Sequence, residues 1–294
     1  MTLVCVGEVM AEIRSDDSDG FAVGFAGDTF NVAVYCQRNL GPDHPVAFHT
    51  RIGRDPLSQG FLSFAAGEDL DLGTIERDEN RNIGIYAVQT DAAGERTFAY
   101  WRNQSAARGL FDEGGLDALE GFSIVYLSGI TLAIVSPEAR ARFFDWIVAQ
   151  KAKGVRFAFD SNFRPSLWES VETARETITR AWQLADIGFP SVDDEMNLYG
   201  DVDAESVLAR LRDYGCTEGA LKRGSTGPVG LNPATERRDY PSATSVVDTT
   251  AAGDSFNGAY LAAILRGSSE IEALSAGHNQ AIKVIGARGA IIPR

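Results

Sequence analysis

The stretch Val246–Ala263, VVDTTAAGDSFNGAYLAA, holds the residues best suited to chemistry. A β-branched run ends at Asp248-Thr249-Thr250, three small residues follow, and a helix is predicted to begin near Asp254. Small residues at Ala251, Ala252 and Gly253 let the backbone approach a ligand, and their N–H groups leave a helix N-terminus whose macrodipole favours an anion. A carboxylate beside a bound phosphate is unfavourable unless it has a chemical task. General base to an attacking hydroxyl is the natural one, because phosphoryl transfer rests on positioning and charge stabilisation. Asp254 suits equally well an N-cap opening an ordinary core helix, and spacing alone leaves both readings open.

A basic turn, Lys222-Arg223-Gly224-Ser225-Thr226-Gly227, follows a predicted strand and is a reasonable phosphate neighbour. It lacks the Lys before Ser/Thr that a Walker A loop requires. Val4-Cys5-Val6-Gly7-Glu8 leads into no G-x-G-x-x-G, which speaks against a nucleotide-dependent dehydrogenase. Three cysteines (Cys5, Cys36, Cys216) and three histidines (His44, His49, His278) are scattered, which predicts neither a disulfide framework nor a transition-metal site.

Short apolar runs alternating with longer amphipathic segments must position these groups. Leu3–Val6, Val46–Thr50, Ile124–Leu127 and Phe157–Asp160 read as strands. Thr29–Leu40, Ser58–Ala66, Pro137–Gly154, Thr173–Ala185, Ser255–Arg266 and Ile271–Gly286 read as helices; Ser136 caps the third and Pro137 opens it. The alternation predicts an α/β fold with a mostly parallel sheet covered on both faces. Asn82–Val88 and Arg96–Trp101, joined by turn chemistry at Thr90–Gly94, interrupt it as a hairpin projecting from the main domain.

With 27 Lys plus Arg against 41 Asp plus Glu, the chain carries a formal net charge of −14, so it lacks the basic face that nucleic acid requires. The longest uncharged stretch, Gly121–Pro137, is too short and too polar for a membrane span. The N-terminal MTLVCVGEVMAEIR has no basic region before its apolar residues and does not read as a signal peptide, so a cytoplasmic protein is expected.

The run Asp248-Thr-Thr-Ala-Ala-Gly-Asp254 resembles the D-T-x-G-A-G-D signature of the ribokinase-like (PfkB) sugar kinases, with Ala251 where many members have Gly. Ala26–Asn31 (AGDTFN) is similar to that family's sugar loop. Gly94–Arg102 (GERTFAYWR), Tyr126–Pro137, Phe159–Trp168 and Arg288–Arg294 resemble its 2-keto-3-deoxygluconate kinases, so the likeness covers essentially the whole chain.

The resemblance implies one ribokinase-like domain over 1–294, a three-layer α/β/α with a small β-sheet lid from segments near 9–30 and 80–105. It implies ATP-dependent phosphorylation of 2-keto-3-deoxygluconate at its C6 hydroxyl. Asp254 would be the base, needing only an ordinary carboxylate pKa to be ionised at neutral pH. Ala251, Ala252 and Gly253 would form the anion hole. Gly27, Asp28, Asn31, Tyr86 and Tyr100 would meet the sugar, and Arg102 and Arg164 its carboxylate, Arg102 sharing a strand face with Tyr100. Asn162, Arg164, Lys222, Gly224, Ser225, Gly227 and Asn279 would surround ATP. Asp248 and Thr250, with Ala287 and Gly289 beside them, match a K⁺ site. Glu195 would hold Mg²⁺ through water, in a degraded N-x-x-E element with Val192 at the Asn position. Homo-oligomerisation through the lid is expected. A kinase of a neutral sugar (fructose or ribose) or a non-catalytic sugar sensor are the rival readings.

Overall fold

The computed structural model describes residues 1–15, 20–90, 96–112 and 114–294. The chain opens with β1 (Leu3–Val6), β2 (Met10–Ser15), β3 (Phe21–Ala26), α1 (Asp28–Leu40), β4 (Ala47–His49), β5 (Arg51–Ile52), α2 (Pro56–Gly67) and β6 (Glu76–Arg77). Next come β7 (Gly84–Thr90), β8 (Arg96–Trp101), β9 (Ile124–Ser128), α3 (Gly129–Ile134), α4 (Pro137–Lys151), β10 (Arg156–Asp160), α5 (Val171–Leu184) and β11 (Ile187–Gly188). It closes with α6 (Val192–Tyr199), α7 (Ala204–Asp213), β12 (Ala220–Leu221), β13 (Val229–Gly230), α8 (Ala252–Leu265) and α9 (Glu270–Ile285).

Five strands form an all-parallel sheet in the order β11-β10-β9-β1-β4. Their sequences are nearly continuously apolar because both faces are covered. Alternation divides them: Val4 and Val6 enter one core with helices α4, α5 and α7, while Leu3 and Cys5 enter the other with α1, α2, α8 and α9. The result is helix, sheet, helix. Local signals set the helix ends, as where Ser136 Oγ accepts from Ala139 N and Pro137 opens α4. Among the described residues no helix is long and apolar enough to cross a membrane.

A separate four-stranded sheet has the order β3-β2-β7-β8. β7 and β8 pair antiparallel, as the hairpin reading requires, and the register sets Tyr86 opposite Tyr100. The turn expected there lies largely outside the described residues. β2 and β3 carried no comparable signal. Phe21–Ala26 is broken by Gly24; on the sheet face away from the cavity Phe25 packs against Phe61 and Phe64 of α2, while Phe21, Val23 and Trp101 stay exposed.

Helix α8 must lie close to α1 to bring its N-terminus beside the α1 side chains. Gly258 permits this: a Cβ there would stand 2.7 Å from Val32 O and 2.9 Å from Tyr35 Cβ. Gly258→Ala should therefore lower stability by about 1–3 kcal/mol through overpacking, measured as a shift of the urea midpoint.

Candidate active site

The carboxyl ends of the parallel strands meet the start of α1, the start of α8 and the four-stranded sheet around a cavity of about 680 Å³. Such strand ends are where open α/β sheets bind ligands. Met10, Tyr86, Phe98 and Tyr100 come from the sheet; Gly27, Asp28 and Asn31 come from the entry to α1. Asp160, Asn162 and Arg164 follow β10, Lys222, Arg223 and Gly224 follow β12, and Thr250–Asp254 lead into α8.

Ala251 precedes α8 in the left-handed region, with φ 58° and ψ 16°. That conformation turns the chain into α8, with Ala252 N donating to Thr249 O at 3.2 Å, and it is costly for a residue with a Cβ. Lys222 stands beside them: a Cβ on Gly253 would lie 3.4 Å from Lys222 Nζ. Lys222 Nζ donates to Asp160 Oδ2 at 2.5 Å, and Asp160 also accepts from Asn257 Nδ2 at 2.7 Å and Asn162 N at 3.0 Å. Asp160 and Asn257 were not singled out from sequence, although an Asp closing a core strand within Phe159–Trp168 was the available signal.

Asp254 Oδ2 accepts from Asn31 Nδ2 at 2.8 Å. Its carboxyl is pushed up to about 7, first by burial and then by the nearby charge of Asp28, against the Asn31 hydrogen bond and Lys222. This corrects the expectation of an ordinary pKa. Asp28 is itself raised, chiefly by burial, while Ser128, Thr29 N and Asn162 hydrogen-bond its charged form.

Several expected residues stand elsewhere. Arg102 is not on a strand face beside Tyr100: β8 ends at Trp101, and the guanidinium donates to the buried carboxylate of Glu8, outside the cavity lining. Tyr86 lines the cavity, but its hydroxyl donates to Glu12 Oε1 at 2.7 Å.

Glu195 corrects the magnesium expectation. It is fully buried and accepts from Arg210 Nη2 at 2.8 Å; Arg210 also pairs with Asp201 and stacks 3.7 Å from the Tyr199 ring centroid. One residue is 100° of helical turn, so Asp193 and Asp194 reach the cavity while Glu195 faces inward. Arg164 lines the cavity and pairs with Asp194 at 3.3 Å.

Ser225, Gly227 and Asn279 do not line the cavity; His278 does instead, its Nε2 donating to Pro241 O at 2.7 Å. Asp248 is buried beneath it, accepting from Thr250 N at 2.8 Å and Gly289 N at 2.7 Å, which ties the C-terminal loop to the start of the α8 motif. Among the described residues no cluster of three or more His, Cys, Asp or Glu could hold a metal. The lining carboxylates of Asp160 and Asp194 nonetheless suit Mg²⁺, which keeps waters and nucleotide phosphates as most of its ligands.

Residues 2–294 match the profile of the pfkB family carbohydrate kinases. The 2-dehydro-3-deoxygluconokinase of Escherichia coli (strain K12) is 39% identical over 301 residues, covering 99% of this chain and 97% of that one. The enzyme of the same name from Dickeya dadantii is 38% identical over 300 residues, covering 99% and 96%. Among solved structures, a Vibrio cholerae fructokinase double mutant bound to fructose, ADP and potassium superposes with a TM-score of 0.85 at 23% identity, covering 99% and 94%. A 2-dehydro-3-deoxygluconokinase from Thermotoga maritima gives 0.81 at 22% identity, covering 99% and 96%.

The raised Asp254 pKa means that the folded chain binds this proton more tightly than the unfolded chain, so stability falls as pH rises from about 4 to about 7. Asp254→Asn should remove that loss, stabilising the protein at pH 8 by up to about 4 kcal/mol and much less at pH 4. Thermal midpoints at the two pH values test it.

Proposed function

Because this chain belongs to the pfkB family of carbohydrate kinases, we propose that it transfers the γ-phosphoryl group of ATP to the C6 hydroxyl of 2-keto-3-deoxygluconate. The observation that carries this reading is Asp254, a carboxylate with a pKa near 7 at the mouth of a helix N-terminus, in a chain alike over its whole length to enzymes named for that sugar acid.

Ionised Asp254 takes the proton of the C6 hydroxyl as that oxygen attacks the γ-phosphorus in line. The amides of Ala251, Ala252 and Gly253 and the ammonium of Lys222 hold the charge on the transferring group. Mg²⁺ arriving with the nucleotide would neutralise the phosphate oxygens, with Asp160 and Asp194 as its protein neighbours. Asp248 and Thr250 would hold K⁺, which would supply positive charge beside the α8 motif; Asp248 also ties Thr250 N to the loop that carries Gly289. At the sugar end Gly27, Asp28 and Asn31 take the hydroxyls, Tyr86 and Tyr100 form the roof, and Arg164 draws the carboxylate. The exposed Phe21, Val23 and Trp101 on the far side of the small sheet support association of two copies there. ATP as phosphoryl donor suits a cytoplasmic enzyme.

One observation favours the neutral-sugar reading. Arg102, the second expected carboxylate partner, has its charge met by Glu8. A coupled assay over a panel containing 2-keto-3-deoxygluconate, its galactose-derived epimer, fructose and ribose separates the two. The sugar acid should show the highest kcat/KM; preference for fructose or ribose would replace the proposed substrate.

With the preferred sugar, Asp254→Asn should lower kcat by about 10²–10⁴-fold while the ATP dissociation constant stays nearly unchanged. The wild-type kcat/KM should fall as pH drops through about 7, because the base works only when ionised. Full turnover in the Asn variant would remove Asp254 from the mechanism.

A further inference from the structure

The small sheet is joined to the central domain at four crossings of the chain. They lie between β1 and β2 at Gly7–Val9, between β3 and α1 at Gly27, at Ile83 entering β7, and at Arg102 leaving β8. One carboxylate sits where they meet. Glu8, on the first crossing and 2% exposed, accepts from Arg102 Nη2 on the fourth and from Ser105 Oγ at 2.5 Å. The other two crossings are closed around it by glycine. A Cβ on Gly27 would stand 2.2 Å from the Glu8 carbonyl oxygen, and one on Gly84 would stand 2.9 Å from Glu8 Oε1 and 3.4 Å from Arg102 Cβ. Beyond these crossings the sheet supplies Met10, Ala26, Tyr86 and Tyr100 to the cavity wall.

We propose that Glu8 is a positioning residue for the kinase reaction: its ion pair with Arg102 clasps the neck of the small sheet and fixes the angle at which that sheet stands over the sugar. Arg102 then serves the sugar by holding the roof rather than by meeting its carboxylate with a free charge. A buried pair suits this task, since removing one partner strands the other in a dry site while removing both does not. Small errors of placement above the reacting groups are costly, because transfer depends on near-attack geometry. The inference rests on the reading that the sugar is bound beneath this sheet.

The test uses the full-length protein and the sugar it turns over best, with variants Glu8→Gln, Arg102→Met and their double. Glu8→Gln should raise the KM for the sugar roughly tenfold or more, with much smaller changes in the KM for ATP and in kcat. Amide hydrogen exchange in residues 10–15 and 84–90, measured without any ligand, should speed up in the same variant. The double variant should be no worse than Arg102→Met alone. An unchanged sugar KM in Glu8→Gln overturns the proposal. So do effects that multiply in the double, because Arg102 would then act on the sugar independently of Glu8. Should Glu8→Gln not fold, Ser105→Ala keeps both charges and removes one donor; it should raise the sugar KM and the exchange of the same strands by a smaller factor, and no change in either overturns the clasp. Because exchange is read without sugar, it decides the clasp even if the panel rejects a sugar acid as substrate.

Discussion

Asp28, Asp160 and Asp254, three of the five carboxylates that line one cavity, sit in a chain of net charge −14, and the ligands proposed for that cavity are themselves anions. Everything else at the site answers that crowding of negative charge. Asp160 is matched by Lys222 and by the amides of Asn162 and Asn257. Asp28 is matched by neutral donors. Asp254 receives one hydrogen bond from Asn31, too little to offset the burial and the neighbouring charge of Asp28 that raise its proton affinity. The residue proposed to accept a proton is thus the one of the three to which the fold grants the fewest partners.

The central layer was legible in the sequence because its signals are short-range. Leu3–Val6 and Ile124–Leu127 read as strands from apolar runs alone, and Pro137 with Ser136 announced α4. The hairpin followed from two β-rich segments and the turn between them, while its register, Tyr86 opposite Tyr100, came from the fold. Strands β2 and β3 gave no such signal. β2 pairs with a segment some 70 residues away, as in the parallel register of Glu12 with Tyr86, and β3 is held at the sheet edge by β2.

The site divides in the same way. Asp254 and its small-residue approach could be found because the whole device is contiguous. The surroundings of Arg102 and Glu195 could not. Arg102 meets Glu8 across 94 positions of sequence, and Glu195 differs from Asp194 only by one step around a helix whose buried side is defined by Arg210 on another helix. A charged residue's type is visible in a sequence; whether its charge is already spent is a property of the fold.

Ala251 has a consequence for the empty enzyme. With no ligand to hold it, the left-handed turn must be maintained by the surrounding fold, because alanine adopts φ 58° against its own preference whereas glycine would do so at little cost. Asp248 supplies part of that support by accepting from Thr250 N and from Gly289 N in the C-terminal loop. The shape of the loop before α8 is therefore a property of the whole fold, and a peptide of the same letters would not keep it.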